Sequence, residues 1–130
     1  MKKLAFIGLM LTLWLLGCTN TTAVLPEKET KTIGSKQLLE LAAERYGNYQ
    51  YPEALYYYNQ IITNYTSDND EDNEARTWAL YEIGYIYYIQ NDYDIADSYF
   101  DKVLVQKTPT DAPRKLASKM KGKIQEKRKK

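Results

Sequence analysis

Residues able to do covalent or acid–base chemistry are scarce in this 130-residue chain. There is no histidine, so the commonest general base and metal ligand is missing. There is one cysteine, Cys18. No Gly-rich phosphate loop and no nucleophile-elbow pattern occurs. Asp68, Asp70 and Asp72 alternate like the start of a calcium loop, but Asn73 stands where such a loop needs Gly and Ala79 where it needs Glu. They read as a solvated acidic loop. The plentiful reactive group is the phenol, with 13 tyrosines. Trp78, Tyr81, Tyr85 and Tyr88 recur at helical spacing and share one helix face. A ring with a hydroxyl suits a surface that is dry at one end and wet at the other. The chemistry on offer is recognition, and neither catalysis nor a cofactor or metal is expected.

Cys18 carries the other chemistry. It follows two lysines, Lys2 and Lys3, and an apolar run from Leu4 to Leu16. That run is shorter than the roughly 20 residues a bilayer-crossing helix needs, and it fits the apolar core of a secretory signal. Leu15-Leu16-Gly17-Cys18, followed by polar Thr19-Asn20, resembles a bacterial lipobox. The resemblance implies that residues 1–17 are a lipoprotein signal peptide and that Cys18 becomes the acylated first residue. A lone exported thiol forms no internal disulfide. Two acyl chains would anchor it stably, at about 0.8 kcal/mol per buried methylene. Thr19, not Asp, stands after the Cys. By resemblance to the enteric default this implies the outer membrane, periplasmic face, with the outer face of the cytoplasmic membrane as the alternative. Export argues against nucleic acid as a partner.

Residues 18–34 are rich in Thr, Lys and Glu, contain Pro26, show no apolar period, and are expected to be a flexible tether. Charge is uneven beyond the leader. Residues 18–112 hold seven Lys or Arg against sixteen Asp or Glu, whereas residues 113–130 hold nine basic groups and only Glu126. An acidic body precedes a basic end, and residues 128–130 read as a basic tail.

The domain between them, residues 35–127, has helical period throughout. Five helices are expected, at about 36–48, 52–65, 74–90, 93–106 and 111–127, with Pro52 in a first turn and Asp111 as a cap. Helices one and two repeat as three and four. Tyr51-Pro52-Glu53-Ala54 matches Tyr93-Asp94-Ile95-Ala96, and Tyr58 and Phe100 follow each Ala at the same distance. With Leu80, Ile83, Gly84 and Tyr87, the second copy resembles the tetratricopeptide (TPR) repeat, a helical hairpin. The resemblance implies an all-α fold of about two and a half repeats. Gly84, Ala54 and Ala96 would let helices approach, while Tyr87, Tyr58 and Phe100 fill the space around them. Leu116, Met120 and Ile124 would form the narrow apolar stripe of a capping helix. Tyr56, Tyr57 and Tyr99 would be edge packing.

In such an array the first helix of each hairpin lines a groove. The groove places here would be Trp78, Tyr81, Tyr85 and Tyr88, flanked by Leu39 and Tyr46 and by a basic rim of Arg114 and Lys121. Aromatic residues with Arg nearby are enriched at binding hot spots. A lipid-anchored array of this kind is similar to the outer-membrane assembly lipoproteins of the BamD family. The resemblance implies a periplasmic adaptor that binds envelope proteins, with a β-barrel assembly protein as the leading partner. Adaptors of cell-wall or cell-division machinery, and ligand-binding accessories of transport systems, are the alternatives.

Overall fold

The computed structural model describes residues 23–129. The expected signal peptide and the expected acylation site, Cys18, lie outside the described residues. Six helices follow in order: α1 Glu27–Thr30, α2 Ser35–Gly47, α3 Tyr51–Asn64, α4 Asp70–Ile89, α5 Tyr93–Leu104 and α6 Ala112–Arg128. No strand occurs among the described residues, so the chain is all-α. α2 packs on α3 and α4 on α5 as two successive hairpins, and α6 packs on α5 and α4. α2 and α4 also meet directly, so α2, α4 and α6 form one layer, backed by α3 and α5.

The two hairpins turn in the same way. The N–H groups of Tyr49 and Gln50 donate to the carbonyls of Tyr46 and Arg45, and those of Asn91 and Asp92 donate to Tyr88 and Tyr87. Tyr49 (φ 60°) and Asn91 (φ 67°) are the two non-glycine residues in left-handed conformation among those described. A left-handed residue after the last turn lets the chain close its final carbonyls. Asn tolerates that conformation, and the exposed Tyr49 adopts it at some steric cost.

The core has two parts. One is built from Leu38, Ala42, Ala54, Tyr57, Tyr58 and Ile61, with Ala79, Ile83 and Ile86 of α4. The other joins Leu80 and Tyr81 to Ala96, Phe100 and Val103, and then to Ala117, Met120 and Ile124 of α6. The small residues sit at the crossings, fully buried. A Cβ at Gly84 would come within 2.9 Å of the Phe100 ring and 3.2 Å of the Tyr99 Cβ, so that crossing requires glycine. Tyr87 stacks on Tyr99 at 6.0 Å.

Five expectations need correcting. The supposed tether is structured from Val24 to Ile33: Val24, Leu25 and Ile33 pack on the first core, and Thr30 is fully buried. Its apolar residues are too few to show a period, and phenols on α3 hold its backbone. The Leu25 N–H donates to Tyr57 Oη (2.8 Å), Tyr56 Oη donates to the Leu25 carbonyl (3.0 Å), and Tyr65 Oη donates to Thr30 (2.7 Å) and Ile33. Tyr57 is therefore wholly buried and not edge packing.

The acidic loop is also shorter than expected, because α4 begins at Asp70. Asn69 caps it by accepting from the Asp72 N–H (2.8 Å), and three carboxylates in the first turn favour the positive helix end. Asp72 is inside the fold. Burial opposes its charge, but hydrogen bonds from Ser35 (2.6 Å), Asn69 and Ser67 hold its pKa below the usual range.

On α6 the buried stripe is Pro113, Ala117, Met120 and Ile124, while Leu116 is exposed. Finally, Arg128 is no tail residue. It ends α6 and pairs with Asp94 (2.5 Å) and Asp97 (3.4 Å) of α5.

Candidate functional site

The layer of α2, α4 and α6 presents the aromatic face. Trp78, Tyr85 and Tyr88 of α4 are half-buried, resting on the second core with one side open. Their rings form a continuous series. Trp78 meets Tyr81 edge-on at 5.9 Å, Tyr81 stacks on Tyr85 at 6.2 Å, and Tyr85 stacks on Tyr88 at 6.2 Å. Tyr46 of α2 reaches Tyr85 at 6.5 Å, joining the two helices. Leu39 and Trp78 line the same two depressions between α2 and α4. Five of the groove residues expected from sequence are thus brought together: Leu39, Tyr46, Trp78, Tyr85 and Tyr88.

The other three are placed differently. Tyr81 is buried, 8% exposed, and its ring packs on Phe100 at 5.8 Å. Burial pushes its hydroxyl up to about 12, helped by the Glu82 charge. It is the floor of the aromatic series and not a contact surface. Lys121 does not form a free rim, because its ammonium lies 2.6 Å from Asp97 and 2.8 Å from Asp101 of α5. Burial alone would lower its pKa, but those two carboxylates raise it. Arg114 is held 2.6 Å from Asp111, one turn away on the same helix. The basic end and the acidic body meet at the α5–α6 contact, and much of the charge asymmetry is used there.

One residue of the site escaped the sequence reading. Glu82 lies between Trp78 and Tyr85 on α4 and lines a depression of about 210 Å³ with Leu39, Ala43, Tyr58 and Trp78. Its carboxylate makes no hydrogen bond or ion pair with any described residue. Burial pushes its pKa up to about 7. It in turn raises the phenol pKa values of Tyr58, Tyr46 and Tyr81, after burial and, for Tyr46, after Tyr85. The signal was visible: one carboxylate stands on an otherwise aromatic face, a turn from Trp78 and a turn from Tyr85.

A larger depression of about 410 Å³ adjoins it, lined by Lys36, Leu39, Glu71, Glu74, Ala75 and Trp78. No group of three or more His, Cys, Asp or Glu able to hold a metal ion occurs among the described residues. No described helix is long and apolar enough to cross a membrane. The arrangement can hold an elongated apolar or aromatic segment, with Glu82 in one depression and Glu71, Glu74 and Lys36 around the other. Comparison with protein-family models, curated proteins and solved structures finds no match for the chain.

Proposed function

We propose that this protein is a lipid-anchored adaptor of the bacterial envelope whose α2–α4 groove binds a segment of another envelope protein. The observation that carries the reading is the aromatic series itself. Tyr46, Tyr85 and Tyr88 contribute rings to one open face, and their hydroxyls donate to no described group. Every phenol facing the N-terminal segment, by contrast, has a backbone partner. A contiguous exposed aromatic patch is characteristic of a surface that is covered in use.

Supporting a TPR-type repeat are the twice-repeated turn and the glycine crossing at Gly84. Supporting membrane attachment is the Leu-Leu-Gly-Cys end of the leader. Five residues, Thr19 to Ala23, separate Cys18 from the docked Val24. Even fully extended, that stretch spans roughly 20 Å, so an acylated Cys18 would keep the domain close to the lipid surface. The outer membrane, and a scaffolding role in β-barrel assembly, are the location and process that fit these features best.

The test is site-specific photo-crosslinking in the envelope, with the reactive group at position 85 and, as control, at exposed Asn59 on α3. A discrete adduct from position 85 alone, identified by mass spectrometry as a barrel-assembly component, is the expected result. A cell-wall enzyme in that adduct would retain the adaptor but replace the process. No adduct from position 85, or equal labelling from both, would refute the groove as a partner site.

A further inference from the structure

Glu82 is a half-buried carboxylate with no hydrogen-bond or ion-pair partner among the described residues. Its depression is walled by the Trp78 and Tyr58 side chains and by Leu39 and Ala43. An ionised group in such surroundings is unfavourable unless a counter-charge is close. No cation of the chain pairs with Glu82 among the described residues: Lys121 pairs with Asp97 and Asp101, Arg114 with Asp111, and Arg128 with Asp94 and Asp97, while Lys36 lines the adjoining depression and Lys123 and Lys127 line another beside Tyr88. The Arg45 guanidinium is turned to Gln50 at 3.4 Å. The adjoining depression adds Glu71 and Glu74 against Lys36, so the groove carries a net negative charge. A carboxylate beside aromatic rings is a receptor for an organic cation, which the ring faces attract as well.

We propose that the α2–α4 groove recognises a basic side chain, lysine or arginine, on the segment of the partner protein, with Glu82 as its counter-ion and Trp78 as its flanking ring. The proposal rests on the groove being a partner site, and it names what that site reads. It explains why α4 interrupts its aromatic face with a carboxylate. It also gives the occupant a polarity, since an apolar segment without a cation would bury Glu82 with no partner.

The proposal implies a pH dependence. The titratable groups that face Glu82 are Tyr46 from α2, Tyr58 from α3 and Tyr81 on α4, all phenols with raised pKa values that stay neutral around pH 7. Burial raises the Glu82 pKa, and no other charged side chain lines its depression. Glu82 alone therefore titrates in this groove near neutrality, and a bound cation would favour its charged form.

The experiment titrates the full chain in detergent micelles with N-acetyl-arginine amide, N-acetyl-lysine amide and N-acetyl-norleucine amide. Tryptophan emission is the readout, and Trp78→Phe serves as the blank for Trp14, the other tryptophan. Both cations should give a saturable change that the norleucine amide does not. Glu82→Gln should weaken the cations by about tenfold or more. Lowering the pH from about 8 to about 5.5 should weaken them in the natural chain and not in Glu82→Gln. An equal response to norleucine amide, an unaltered cation affinity in Glu82→Gln, or no response to any of the three would overturn the cation site. Those failures leave the crosslink at position 85 untouched, whereas loss of that crosslink overturns the groove reading itself.

Discussion

The two faces of the helical array use the same side chain in opposite ways. On the back, Tyr56, Tyr57 and Tyr65 turn their hydroxyls to the backbone between Leu25 and Ile33. Each ring covers apolar surface and each hydroxyl satisfies a polar group that would otherwise be stranded. On the front, Tyr46, Tyr85 and Tyr88 stack on one another and leave their hydroxyls without a described partner. A tyrosine whose hydroxyl is tied to backbone is structural. One whose ring is half-covered and whose hydroxyl is free is available to something else. Composition alone cannot separate the two, and hydrogen-bond partners can.

The sharpest way to break this comparison is truncation on the back face. Tyr57→Ala removes a wholly buried ring and should destabilise the fold by about 3–5 kcal/mol, measured by urea unfolding. On the front, Glu82→Gln should act in the other direction. The carboxyl is raised to about 7 in the fold, against about 4.3 in an unfolded chain, so folding favours its protonated form. The penalty for the charged form is absent below about pH 4, grows between the two values, and is fully present above about pH 7. Glu82→Gln should therefore stabilise the chain by about 2 kcal/mol at pH 8 and by almost nothing at pH 4. Unchanged melting across that range would show that the carboxylate is well solvated.

Two subtler changes separate the hydroxyls. Tyr57→Phe keeps the ring and loses the acceptor of the Leu25 N–H, so it should cost about 1 kcal/mol and speed amide exchange at Leu25. Tyr88→Phe on the front removes a hydroxyl with no described partner and should change stability by less than about 0.5 kcal/mol. Equal costs for the pair would erase the distinction between the faces.

Much of this architecture was legible in the sequence because helical period and repeat register are local signals. Gly84, Ala54 and Ala96 identified themselves as crossings by their size at matched positions, and Pro52 marked the start of α3. What stayed hidden depended on tertiary partners. Residues 24–33 have almost no pattern of their own, and they are ordered by three phenols more than thirty residues away in the chain. Lys121 reads like a groove residue, but Asp97 and Asp101 of α5 take its ammonium, and no local pattern shows which carboxylates α6 will meet. Tyr81 reads like its aromatic neighbours, but Phe100 waits opposite it, and packing there made it core. Glu82 was passed over because a single Glu on a helix is ordinarily solvated. Only the neighbouring helices reveal that it is half-buried against Leu39, Ala43 and Tyr58.

The central claim is that the rings of the front face are a surface held ready for a partner and are not packing. The most direct test compares Tyr85→Ala with Tyr57→Ala in one urea titration. The account predicts that Tyr85→Ala costs about 1 kcal/mol, because its ring is half-open and backed by Tyr81, while Tyr57→Ala costs at least about 3 kcal/mol. Equal losses of several kcal/mol would mean that Tyr85 is core like Tyr57, and the groove would then be part of the fold and not a place for another protein.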